Sequence, residues 1–90
     1  MTINTQAKKN VLVADDEASI RALVKKCLGD YDVVEADDGA KAYEVAQSYH
    51  PDLIILDIMM PKMDGYMVCQ RLKMDVLTKG IPIVMLTSLS

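Results

Sequence analysis

The sequence predicts a single α/β domain built as βαβαβαβ around an open parallel sheet. Two observations carry this. Four short apolar runs rich in β-branched residues, Val11 to Ala14, Asp32 to Glu35, Leu53 to Leu56 and Ile81 to Leu86, have the length and composition of strands. Each of the three intervals between them places apolar residues at helical spacing. Strand and helix alternating in this way imply right-handed crossovers and parallel neighbours.

The polar stretch 1–9 reads as a tail, and the domain as residues 10–90. After the first strand, Ile20, Leu23, Val24, Cys27 and Leu28 recur at i, i+3, i+4, i+7 and i+8, predicting one apolar helical face with Arg21, Lys25 and Lys26 turned elsewhere and Gly29 as the C-terminal cap. The second helix carries Ala42, Val45, Ala46 and Tyr49, opened by Asp38-Gly39 and closed by His50-Pro51. The third strand, Leu53-Ile54-Ile55-Leu56, lacks polar alternation and predicts burial on both faces. A third helix over Tyr66 to Met74 aligns Val68, Cys69 and Leu72 after a loop, Met60 to Gly65, broken by Pro61 and Asp64-Gly65. Only Thr87 to Ser90 follow the fourth strand, so the unit reads as unfinished.

Ninety residues, 51% hydrophobic and 26% charged, fit one small globular core. A net charge of −3 with no basic stripe argues against direct nucleic-acid binding, and Lys8-Lys9 is too short for a basic patch. No apolar run is long enough for a signal peptide or membrane span, so the expected compartment is the cytoplasm. Cys27 and Cys69 read as reduced core residues, His50 as a solvated boundary residue, and the methionines 59, 60, 63, 67 and 74 as packing around the third helix or as an adaptable surface. No glycine-rich nucleotide-binding signature occurs.

Ligands of open parallel sheets bind outside the carboxyl ends of the strands. There the sequence places Asp15 and Asp16 after the first strand, Asp57 after the third and Thr87 after the fourth. Carboxylates converging at one mouth repel one another and call for a hard cation, magnesium or manganese, which leaves positions for phosphate oxygens. A carboxylate can itself act as the nucleophile and form an aspartyl phosphate, and the Thr87 hydroxyl can donate to it. Spacing alone leaves a second reading open, in which Asp15, Asp16 and Glu17 cap the first helix and Asp57 begins an ordinary turn.

The segments Val11-Leu12-Val13-Ala14-Asp15-Asp16-Glu17, Leu53-Ile54-Ile55-Leu56-Asp57-Ile58-Met59-Met60-Pro61-Lys62-Met63-Asp64-Gly65 and Ile81-Pro82-Ile83-Val84-Met85-Leu86-Thr87 closely resemble the receiver domains of two-component response regulators. The resemblance implies a flavodoxin-like, doubly wound parallel sheet. It implies that Asp57 accepts a phosphoryl group from a phosphohistidine on a sensor histidine kinase or phosphotransfer protein. It further implies that Asp16 ligates Mg2+ directly and Asp15 largely through water, with Asp57 and the Met59 backbone carbonyl as further ligands. Thr87 is then the switch hydroxyl, and Pro61 and Gly65 match the turn after the acceptor, where glycine relieves a tight loop.

The family's pattern continues with a fourth helix, a fifth strand ending in a lysine that contacts the phosphoryl group, and a fifth helix. The ninety residues contain none of these, and Lys62, Lys73 and Lys79 do not match that lysine. The expectation is therefore a partial receiver domain with impaired phosphoryl transfer. The fourth strand, apolar and free of charges, is expected to be an edge that pairs with a second copy or exchanges elements with it. Two alternatives remain: a structural or assembly fragment that does not switch, and a Mg-dependent phosphohydrolase. The latter would usually carry an acid two residues past the nucleophile, where Met59 stands.

Overall fold

The computed structural model describes residues 9–86. Its elements follow the expected order: β1 (Asn10–Ala14), α1 (Ala18–Cys27), β2 (Asp32–Ala36), α2 (Gly39–Tyr49), β3 (Leu53–Asp57), α3 (Gly65–Met74) and β4 (Ile83–Leu86). All strand pairs are parallel, in the order β2-β1-β3-β4, with Leu12 beside Val34 and Ile54, and Leu56 beside Met85. The fourth strand starts two residues later than the apolar run suggests. Pro82 lacks the N–H needed for the ladder, and its carbonyl instead accepts from Ile54 N–H at 3.0 Å.

Strand order fixes the layers. The first crossover runs from β1 outward to β2, whereas the second and third run the opposite way, so right-handed connections put α1 on one face and α2 with α3 on the other. On the two-helix face Leu12, Ala14, Ile54 and Leu56 pack against Ala42, Val45 and Ala46 of α2 and Val68 and Leu72 of α3. Each buried Leu or Ile here contributes roughly 1.5–3 kcal/mol. On the α1 face Val11 and Val13 are buried, but Ile55 is only half-buried and Val84, its register partner, is exposed.

Three expectations need correction. The apolar stripe of α1 does not form a buried face: none of its residues is buried, Leu23 is 58% exposed, and Cys27 lies on the surface as a free thiol. A single helix covers only part of that side of the sheet. For the same reason β3 is not buried on both sides, since Leu53 and Ile55 are half-buried where Ile54 and Leu56 are fully covered. The α1 C-cap is Leu28 rather than a left-handed glycine; its N–H donates to the carbonyls of Val24 and Lys25. Cys69 is half-buried and free. The methionines divide: Met60 is buried and Met63 packs against the core, while Met59, Met67 and Met74 are exposed.

At the other helix starts the Asp-Gly pairs of the sequence supply caps. Asp38 caps α2 by accepting from Lys41 N–H at 2.8 Å, and Asp64 caps α3 by accepting from Met67 N–H at 2.9 Å. His50, exposed and left-handed at φ 50°, ends α2 before Pro51. No helix among the described residues is long and apolar enough to cross a membrane.

Candidate functional site

The first crossover carries the chain from β1 to β2 on one side and the second returns it past β1 to β3 on the other, so the switch point of the sheet lies between β1 and β3, where such folds bind ligands. Asp15 directly follows β1. Its backbone N–H continues the strand pairing by donating to Ala36 O at 3.1 Å, which carries the side chain into the interior, only 5% exposed. Its Oδ1 accepts from Glu17 N–H at 2.9 Å, and its backbone carbonyl accepts from Arg21 Nη1 at 2.6 Å. Carboxylate oxygens of Asp15, Asp16 and Glu17 lie within 4.8 Å of one another, with Asp16 and Glu17 exposed.

This geometry bears on the capping reading that spacing left open. The helix begins at Ala18, Glu17 is its N-cap residue in extended conformation without a side-chain cap bond, and no acid occupies the first turn. The three carboxylates gather on one another instead. Burial pushes the Asp15 carboxyl above its ordinary range; the Glu17 N–H bond offsets part of this, and repulsion from Asp57, Asp16 and Glu17 adds to it. The trio therefore has the hard-oxygen chemistry that suits Mg2+ or Mn2+. Glu17 was visible in the sequence beside the two aspartates, but only as a cap candidate.

Asp57 ends β3, is 8% exposed, and stands close enough for its charge to act on Asp15. Its Oδ1 accepts from Met59 N–H at 3.2 Å, so the Met59 backbone sits in the loop at the acceptor while its side chain is exposed. Asp57 is not one of the 4.8 Å trio. Ile58 N–H donates to Leu86 O and Gly65 N–H to Ile58 O, tying the loop to β4 and to the start of α3. Thr87 lies outside the described residues; Leu86 before it is the register partner of Asp57.

Gly65 is required here, though not for a left-handed turn. A Cβ at this position would overlap the Asp57 carbonyl oxygen and stand 2.7 Å from Ile58 Cα. The left-handed residue of the loop is Lys62, at φ 70°. Its amine pairs with Asp38 at 3.3 Å, and Lys73 Nζ donates to the carbonyls of Lys79 and Ile81, so both of these lysines are engaged away from the acidic mouth.

Comparison with known proteins agrees with this layout. A model of the response regulator receiver domain matches residues 11–90. The chain is 48% identical over 85 residues to "Probable transcriptional regulator ycf27" of Porphyridium aerugineum, covering 92% of this chain and 34% of that protein. It is 48% identical over 81 residues to "DNA-binding dual master transcriptional regulator RpaA" of Synechocystis sp., covering 88% and 34%. Against the solved structure of Vibrio cholerae chemotaxis protein CheY4 the TM-score is 0.85 at 40% identity, covering 93% of this chain and 72% of that one. The chain thus spans about a third of the length of the curated relatives it matches. With the parallel sheet, its switch point and the acidic mouth all agreeing, the chain belongs to the response regulator receiver domain family.

Proposed function

We propose that Asp57 is the phosphoacceptor of this receiver and that Asp15 and Asp16, with the Met59 backbone carbonyl, hold a divalent cation beside it. The observation that carries the reading is a buried carboxylate, Asp57, at the switch point next to a cluster of three more. Membership of the family supplies the coarser function: a phosphoacceptor signalling module with an acidic pocket for Mg2+, working with sensor histidine kinases or phosphotransfer proteins rather than turning over a substrate.

In the proposed reaction a carboxylate oxygen of Asp57 attacks the phosphorus of a phosphohistidine. A P–O bond forms as the P–N bond breaks, and the departing imidazole nitrogen keeps the electron pair. Met59 N–H holds Oδ1, and the other carboxylate oxygen attacks. Mg2+, when bound, offsets the charge of the carboxylates and of the phosphoryl oxygens. Glu17 stands within reach as a further carboxylate, and Thr87 supplies the switch hydroxyl. The working compartment in this reading is the cytoplasm.

Among the described residues β4 has a strand neighbour on one side only, and Val84 is exposed. Self-association through this edge is part of the proposal; a monomer at high concentration in analytical sedimentation would remove it. The central test is intact-mass spectrometry after incubation with a small-molecule phosphodonor and Mg2+. One phosphate adduct is expected, absent from Asp57→Asn; an equal adduct on that variant would place the acceptor elsewhere, and no adduct on a folded, Mg2+-binding sample would leave a scaffold that does not transfer.

A further inference from the structure

Arg21 belongs to α1 and is the one long cation on that helix drawn against the sheet, with 16% of its side chain exposed. Its Nη1 donates to the Asp15 backbone carbonyl at 2.6 Å and its Nε to Glu35 Oε1 at 3.0 Å. Glu35 is braced in turn by Lys25 at 3.8 Å. Glu35, on β2, is the register partner of Val13 on β1, so the guanidinium ties the end of β1, the first turn of α1 and the end of β2 together.

The Asp15 carbonyl belongs to the peptide unit that joins Asp15 to Asp16. That unit is planar, so fixing its oxygen fixes the plane and the relative orientation of the two residues it links. Asp15 is held from its other side as well, by its N–H on Ala36 O. The acidic trio is therefore aimed by a backbone clamp, and a charge-assisted bond to a rigid fork is a strong form of one.

We infer that Arg21 is a positioning residue for the acidic pocket: by clamping the Asp15 carbonyl against Glu35 it presets the Asp15 and Asp16 carboxylates for a divalent cation. This rests on the reading of that pocket as a Mg2+ site. The clamp opposes simple electrostatics, because a cation beside a cation site weakens binding through repulsion, least screened when the side chain is mostly covered. Removing Arg21 by charge alone would tighten Mg2+ binding; removing it as a clamp loosens binding.

The experiment is a Mg2+ titration of the full chain at fixed ionic strength, followed by the amide NMR shifts of Asp16 and Glu17, for wild type, Arg21→Met and Arg21→Lys. Folding of each is checked by the dispersion of the same spectra. Arg21→Met, which keeps the aliphatic stem, is expected to bind Mg2+ about tenfold more weakly. Arg21→Lys keeps the charge, loses the fork, and is expected to fall between that variant and wild type. Should Arg21→Met fail to fold, Arg21→Lys decides alone, since affinity equal to wild type there overturns the proposal. Equal or tighter binding by a folded Arg21→Met also overturns it. Absence of Mg2+ binding by wild type, or binding unchanged in Asp16→Asn, would instead overturn the reading of the pocket and this inference with it.

Discussion

Gly39 and Met63 approach so closely that a Cβ on Gly39 would overlap the Met63 carbonyl oxygen. The first residue of α2 therefore seats directly on the loop that follows Asp57, and the Asp38–Lys62 ion pair at 3.3 Å closes the same contact. The acceptor loop is held between two glycines, Gly39 at its far end and Gly65 against the Asp57 backbone.

Gly39→Ala reports on this contact. At an unobstructed helical position the change would stabilise by about 0.4–1 kcal/mol, by restricting the unfolded chain. Here the obstacle is backbone, which cannot swing aside, and a loss of about 1–3 kcal/mol is expected. A lower urea midpoint with an unchanged slope is the expected outcome; a raised midpoint would show that the loop can withdraw from α2.

Among the described residues the Asp64 cap is the only side-chain bond on the first turn of α3. Asp64→Ala removes the acceptor for Met67 N–H and is expected to cost about 1 kcal/mol. Asp64→Asn keeps a carbonyl oxygen in the same place and should recover most of the loss in thermal denaturation.

Asp15 should make the metal-free protein less stable as the pH rises. Its carboxyl titrates above the ordinary value of 3.8 when folded, so the folded state holds the proton more tightly than the unfolded chain does. Its favourable contribution is full below 3.8 and disappears as the pH climbs through the raised folded value. Asp15→Asn, whose amide oxygen can still accept from Glu17 N–H, is expected to melt higher than wild type at pH 7 without Mg2+. That gap should shrink as the pH is lowered toward 4; a variant melting lower at pH 7 would mean the ionised carboxylate is stabilised by its surroundings.

Thr78 is fully buried, and its hydroxyl donates to Leu72 O at 2.7 Å, satisfying a carbonyl of the last turn of α3. Thr78→Val keeps the shape and leaves that carbonyl only the longer bond from Asp75 N–H at 3.4 Å, with an expected loss of about 1 kcal/mol in chemical denaturation. Thr78→Ser keeps the donor, so a loss as large as that of the valine variant would point to the missing methyl group instead.

The sequence by itself determined the elements and their order, because strand and helix periodicities are local: β1, β2 and β3 fall within a residue of the apolar runs, and α2 and α3 start at the Asp-Gly pairs read as turn and breaker. It also placed Asp15, Asp16 and Asp57 at strand ends. Only the tertiary structure decided what covers each face. The stripe Leu23, Val24, Cys27 has helical spacing whether or not a partner packs on it, and in the fold Leu23 and Cys27 are exposed and Val24 only half-buried. The split of the methionines, the Arg21 bridge from the Asp15 carbonyl to Glu35 and the seating of Gly39 on Met63 are likewise contacts between segments that local patterns do not specify. They follow from the strand order β2-β1-β3-β4, which brings the ends of β1 and β3 side by side and so makes one site from residues some forty positions apart in the chain.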